Sequence, residues 1–258
     1  MDCFVAFPFH NCCLDILSDV FAGSGDSRLE GIDKDVLYHV MSCLASELRD
    51  GLLLSTVSCF HPILDYGFVS GRDAGKGRWR PLSGEEFSVS NPSATAAVTD
   101  ELRQSLVGDP VFKLRPETSV LVRNPVLQDP FSRLPNELLM TIARLLSGHD
   151  LLALLKASWP ALAATRSNGF WKWHLTHEMP WLNSLRPLLD GQEPEEKVTL
   201  DYKKLYLWLD KVTAPKYGVD GPFLSLANRR RIWGVCEQLA ALYFGHRDVH
   251  AATPSDVQ

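Results

Sequence analysis

Apolar positions in this chain recur mostly every three or four residues, the spacing of one face of an α-helix. Ile16, Leu17, Val20 and Phe21 form the first such set and predict a helix from about Cys12 to Phe21. Val36, Leu37, Val40, Met41, Leu44 and Leu48 form the second, over Asp33 to Arg49, with Gly51 placed to end it. The period is then lost. Glycines at 67, 71, 75, 77 and 84 and prolines at 62, 81 and 92 predict loops and short extended pieces over residues 60–99. Asp100 to Leu106 predicts a short helix, and 111–128, with prolines at 116 and 125, reads as extended.

From Phe131 the pattern becomes densely helical. Pro135 can open a helix because its missing N–H is not needed in the first turn, and Glu137 suits the positive end of the helix dipole. Leu138, Leu139, Ile142, Leu145 and Leu146 follow as an apolar set, and Gly148 and His149 end that helix. Asp150 can cap the next helix, whose buried face is Leu151, Leu154 and Leu155. Pro160 starts a third short helix through Ala164, and Phe170, Trp171, Leu175 and Met179 predict a fourth.

Beyond Pro180 the acidic piece from Asp190 to Lys197 reads as a solvated linker. Tyr202, Leu205, Tyr206, Leu209 and Val212 make the stripe of another helix. After a loop over 215–222, Ile232, Cys236, Leu239 and Tyr243 line a helix from Leu226 to about Phe244. The organisation that follows is an N-terminal helical and loop-rich region over 1–125, a helical module over 131–178 and a C-terminal helical region over 198–247. The fold class is mostly α, and the N-terminal helices are expected to pack on the C-terminal ones.

Composition narrows the function. With 258 residues, 45% of them hydrophobic, the chain can form one large domain or two small ones around a sizeable core. Its 26 basic and 31 acidic residues leave a net charge of -5 with no basic run, which argues against a nucleic-acid partner. No stretch reaches the roughly 18 apolar residues of a membrane span, and no signal-peptide pattern opens the chain. The six cysteines include no C-x-x-C pair. An intracellular protein with reduced thiols, in cytoplasm or nucleus, is expected.

Candidate chemistry is sparse. His10, Cys12 and Cys13, with Cys3, are the best metal candidates, but adjacent cysteines do not easily share a tetrahedral site and no matching His pair follows. The glycines around Lys76 lack the G-x-x-x-x-G-K-[ST] spacing of a phosphate loop. His61 and Asp65 have no nucleophile placed beside them by any motif. Arg229, Arg230 and Arg231 sit at the helix end that disfavours cations, and salt bridges within the fold are expected there. No cofactor, metal or catalytic residue is assigned, and the chain is not expected to be an enzyme.

The strongest signal is a surplus of leucine. Leu134, Leu138, Leu139, Leu145, Leu146, Leu151, Leu152, Leu154 and Leu155 crowd a unit of about 45 residues, too small to bury all of them in itself. Some must face the rest of the chain or form an exposed patch, and such patches mark partner surfaces. The run LPNELLMTIARLLSGHDLLALLKASWPALA, followed by FWKWHL, closely resembles the F-box as found in F-box proteins of filamentous fungi. The resemblance covers Phe131 to about Leu175, and its opening DPFSRLPNELL is particularly like the fungal form. DYKKLYLWL and LANRRRIW are similar to elements that follow the F-box in those proteins.

What the resemblance implies is an adaptor role: docking of a Skp1-type adaptor and through it a cullin, with presentation of an unknown protein substrate for ubiquitination. The family's docking positions match Leu134, Pro135, Leu138, Leu139, Ile142, Leu146, Asp150, Leu151, Leu154, Ser158, Phe170 and Trp171. Trp159-Pro160 departs from the family's more usual pair at that turn, a position where proline is tolerated. The alternatives are an F-box-like protein that binds the adaptor in a non-ligase assembly, and an enzyme whose site carries no recognisable motif.

Overall fold

The computed structural model describes residues 10–23, 32–47, 84, 86–94, 96–108, 110–114, 129–189 and 200–252. Its helices are α1 (Asn11–Gly23), α2 (Lys34–Glu47), α3 (Ala96–Gly108), α4 (Asn136–Leu145), α5 (Gly148–Ala157), α6 (Trp159–Ala164), α7 (Asn168–Glu178), α8 (Arg186–Leu189), α9 (Tyr202–Val212) and α10 (Leu224–Ala252). Short 3-10 turns cover Glu86–Val89, Pro110–Phe112, Pro130–Arg133 and Pro180–Leu185. Among the described residues there is no sheet, only one antiparallel bridge between Lys113 and Leu200. The chain is predominantly helical, as the apolar spacing predicts.

Short polar side chains fix several helix starts by accepting N–H groups that have no partner inside the helix. Asp33 Oδ1 takes the N–H of Asp35 (2.9 Å) and of Val36 (3.2 Å) at the head of α2. Ser158 Oγ takes the N–H of Ala161 at the head of α6, and Ser167 Oγ that of Phe170 at the head of α7. At α5 the cap is Ser147, not Asp150: Ser147 Oγ accepts the Asp150 N–H (3.3 Å) and donates to Asp150 Oδ2 (2.8 Å). This reciprocal arrangement places Gly148 inside the helix rather than after the preceding one. Pro135 is extended and stands just before α4, its carbonyl accepting from Leu138 and Leu139. Helix α3 starts four residues earlier than Asp100, because Ala96 and Ala97 favour helix.

The chain divides into two units. One combines residues 1–98 with 213–258; the other is 99–212. In the first, α1 and α2 lie on α10. Ile16, Leu17, Val20 and Phe21 are buried, as are Ile232, Cys236, Leu239 and Tyr243 on α10. Phe21 meets the Tyr243 ring edge-on at 5.0 Å. The Tyr243 hydroxyl accepts the Asp33 N–H at 2.9 Å, tying the start of α2 to α10. Asn228 donates from its amide to the Ser90 carbonyl (2.7 Å) next to a small cluster of Phe87, Val219 and Ala227.

The second unit holds α4 to α9. Helix α6 contacts both α4 and α5, and α7 lies along α9. Leu139, Ala143, Leu151, Leu155 and Ala161 are buried on the first set of helices, and Phe170, Trp171, His174 and Leu175 on α7. Residues 180–189, for which the apolar spacing predicts no element, carry four buried side chains: Trp181, Leu182, Leu185 and Leu189. Asn168 fastens the start of α9 with both ends of its amide. Nδ2 donates to the Leu200 carbonyl (2.8 Å) and Oδ1 accepts the Tyr202 N–H (2.9 Å).

Gly148 marks the closest approach in this unit. Its N–H donates to Glu178 Oε2 at 2.9 Å, and a Cβ added here would collide with the Tyr206 hydroxyl. Tyr206 is itself buried against α7 and cannot swing away freely. Gly148→Ala is therefore expected to lower stability by about 1–3 kcal/mol. In a Tyr206→Phe background the same change should cost measurably less. Urea unfolding of the four proteins checks this; equal costs in both backgrounds would show that the hydroxyl is not the obstacle.

Candidate functional site

The residues matched to the F-box pattern separate by depth. Pro135, Leu138 and Asp150 are exposed; Leu134, Ile142, Leu146 and Leu154 are half-buried; Leu139, Leu151, Ser158, Phe170 and Trp171 are buried. Helix geometry explains the split on α4. At 100° per residue, Leu139 and Ala143 point one way, while Leu138, Ile142 and Leu145 lie within about 60° of one another on a neighbouring face. Leu138 is 51% exposed and Leu145 81%. Leu145 belonged to the leucine surplus but not to the matched positions. Its spacing from Leu138 and Ile142, seven and three residues, is the signal that places it with them.

The buried members have structural roles. Ser158 caps α6 and donates from Oγ to Asp129 Oδ2 (2.9 Å). The other oxygen of Asp129 accepts the Phe131 N–H (2.9 Å), so the two residues lash the Pro130–Arg133 turn to the α5–α6 junction. Phe170 and Trp171 do not offer their rings at the surface. Trp171 meets Tyr206 of α9 at 5.7 Å between ring centres, with the Lys203 ammonium 5.4 Å from its own. A side chain so enclosed can present no area to a partner unless the unit opens. Asp150 is solvent-exposed, with its carboxyl held below the usual carboxylate range by the Ser147 hydroxyl and then by His149.

No protein-family model, curated protein or solved structure matches this chain. The site is accordingly read from its own chemistry. An exposed, one-sided apolar strip on α4, preceded by Pro135 and followed by a capped helix start, suits contact with an apolar groove. It brings no nucleophile, general base or cluster of charges together.

Other sequence candidates are placed as follows. Cys12 and Cys13 are half-buried free thiols in the first turn of α1, and Cys236 is buried on α10. Burial pushes the Cys236 thiol up to about 12, and burial with the neighbouring Cys12 pushes Cys13 up to about 11, so both are poor nucleophiles. Arg229 is buried, with Nη2 3.5 Å from Asp19 Oδ2 on α1. Arg231 Nε donates to Asn228 (3.0 Å) and Arg230 to Thr213 (3.4 Å), so the arginines are bonded within their own unit. Cys3, His61, Asp65, Lys76 and the Asp190–Lys197 stretch lie outside the described residues, and no helix among those described is long and apolar enough to cross a membrane.

Sequence reasoning missed His174. It is 1% exposed on α7, stacked on Phe170 at 5.7 Å and 10°, with the Tyr206 ring 4.8 Å away. Neither ring nitrogen has a hydrogen-bond partner. Burial, and to a smaller extent His177, pulls its pKa from 6.5 down to about 4. A base held neutral by the fold stabilises it fully above the ordinary pKa, and that contribution drains away as pH falls from about 6.5 towards 4. The melting temperature should therefore drop between pH 7 and 5. A His174→Phe variant, which keeps a ring in the same space, should show a shallower drop. Parallel slopes for the two proteins would remove His174 as the source.

Proposed function

We propose that this chain is a non-catalytic adaptor that docks a Skp1-type protein through an F-box over residues 131–178, and that the rest of the chain presents a protein substrate to the cullin-based ubiquitin ligase so recruited. Two independent features support the reading. The residue order from Phe131 to Leu175 resembles the F-box, and α4 leaves Leu138 and Leu145 exposed on one face, with Ile142 half-buried between them. The exposed face is the observation that carries it. Apolar side chains in this number on a single short helix raise solubility and aggregation costs that a partner's groove removes.

The burial pattern supports a division of roles among the matched residues under this reading. Pro135, Leu138, Ile142 and Leu145 form the contact surface, with Leu134, Leu146 and Leu154 at its edge and Asp150 supplying polarity beside it. Leu139, Leu151, Ser158, Phe170 and Trp171 hold the helices that present it. In the non-ligase alternative the same surface binds the same adaptor, but no cullin follows.

Leu138→Ala combined with Leu145→Ala is expected to leave the fold unchanged, since both side chains are exposed, and to weaken adaptor binding by about 2 kcal/mol or more, roughly thirtyfold. Calorimetric titration of purified Skp1-type adaptor into the folded wild-type and double-variant chains measures this. Absence of binding by wild type at micromolar concentrations defeats the proposal. Wild-type binding that the double variant retains would keep the adaptor and displace the surface. Cullin recruited by the binary complex separates the ligase role from the non-ligase one.

A further inference from the structure

His174 sits in the seam between α7 and α9, and its surroundings decide what gives way when it takes a proton. Its ring stacks on Phe170 and meets Trp171 nearly edge-on at 5.8 Å, both on α7. From α9, Tyr206 closes the cage, 4.8 Å from His174 and 5.7 Å from Trp171. None of the four rings is more than 3% exposed. The Trp171 indole N–H, like both His174 nitrogens, has no hydrogen-bond partner. An imidazolium here would find no acceptor for either of its N–H groups.

The charges around the seam are also of the wrong sign. After burial, His177, one turn further along α7, is the group that most disfavours a charge on His174. Lys203 of α9 holds its ammonium 5.4 Å from the Trp171 ring, and Lys172 of α7 holds its own 5.5 Å from that of Tyr202. Arg144 of α4 lies 5.1 Å from Trp173, whose ring is 6.5 Å from His174. Among the described residues no carboxylate offsets these cations at His174. Glu178 of α7 is bonded to the Gly148 N–H at 2.9 Å, and Asp210 stands one turn beyond Tyr206 on α9. The Pro180–Leu185 turn, which also lies on α7, carries no charged side chain.

Helices α4, α5 and α6 differ in kind. They bury Leu139, Ala143, Leu151, Leu155 and Ala161, none of which titrates, and α6 lies on both of the others. We propose that the α7–α9 seam is an acid-opened device: a proton on His174 parts the two helices and bares Phe170 and Trp171 to solvent, while α4 to α6 stay packed. The closed seam pulls the His174 pKa from 6.5 down to about 4, so closure is favoured fully above 6.5 and less with each step below it. Between pH 7 and 5 the open fraction should rise about twentyfold. Two residues matched to the F-box pattern are the ones uncovered, yet the device does not rest on the adaptor reading, and its failure would leave that reading untouched.

Hydrogen exchange of the full chain, read by mass spectrometry at pH 7 and 5 and corrected for the intrinsic pH dependence of amide exchange, tests this. Protection over α7 and α9 should fall about twentyfold on going to pH 5, and that over residues 136–164 should hold. His174→Phe should abolish the fall, and His177→Gln, which removes the neighbouring titratable ring, should keep it. If His174→Phe does not fold, His174→Gln, uncharged at every pH, takes its place. Unchanged protection in the wild type overturns the device. Equal loss over residues 136–164 also overturns it, because the whole unit then opens together. So does a fall that survives removal of His174 or disappears with His177→Gln.

Discussion

The unit over residues 99–212 depends on burial of the α7 rings against α9. Phe170, Trp171 and His174 fill the space that small helices of this length leave between them, and Tyr206 closes it from the other side. Large rigid rings bury much area for little lost side-chain freedom, which matters in a body whose surface is large for its volume. The arrangement tolerates an imidazole with no hydrogen bond and an indole N–H in the same state. Such groups carry a desolvation cost, so the packing of ring on ring must outweigh it.

The interior of this unit takes some apolar side chains and leaves others outside. On α4, Leu139 and Ala143 are inward while Leu138 and Leu145 stay exposed. Residues of a single pattern therefore divide by depth. Trp171 and Ser158 are buried and hold their helices in place, and Leu138 and Leu145 are the exposed residues that the proposed docking would use.

Much of the helical framework was legible because it obeys one period. The stripes on α1, α9 and the middle of α10 are buried as their spacing requires: Phe21, Tyr206 and Tyr243 lie where the pattern puts them. What the pattern could not give was depth. A period assigns a residue to a face, and Leu138 and Leu139 differ by one position on α4 yet fall on opposite sides of the surface. Caps were misjudged for a local reason. Ser147 and Asp150 both suit a helix start, and only the reciprocal hydrogen bonds between them show which one begins it. The Trp181–Leu189 piece was missed because prolines at 180 and 187 break the period while its apolar residues still reach the interior.

Asn168 has a consequence beyond fastening α9. Its amide holds Leu200 and Tyr202, while the Tyr202 hydroxyl donates to the carbonyl of Leu189 at 3.1 Å. The chain positions on either side of residues 190–199 are thereby pinned to the same spot by side chains rather than by the peptide that links them. Closing a longer connection between fixed ends costs only logarithmically more entropy. Evolution or an experimenter can therefore lengthen, replace or sever that connection, even moving the chain's ends there, while α7 and α9 keep their register. The polypeptide's order along the sequence and the integrity of the unit are separable at this point.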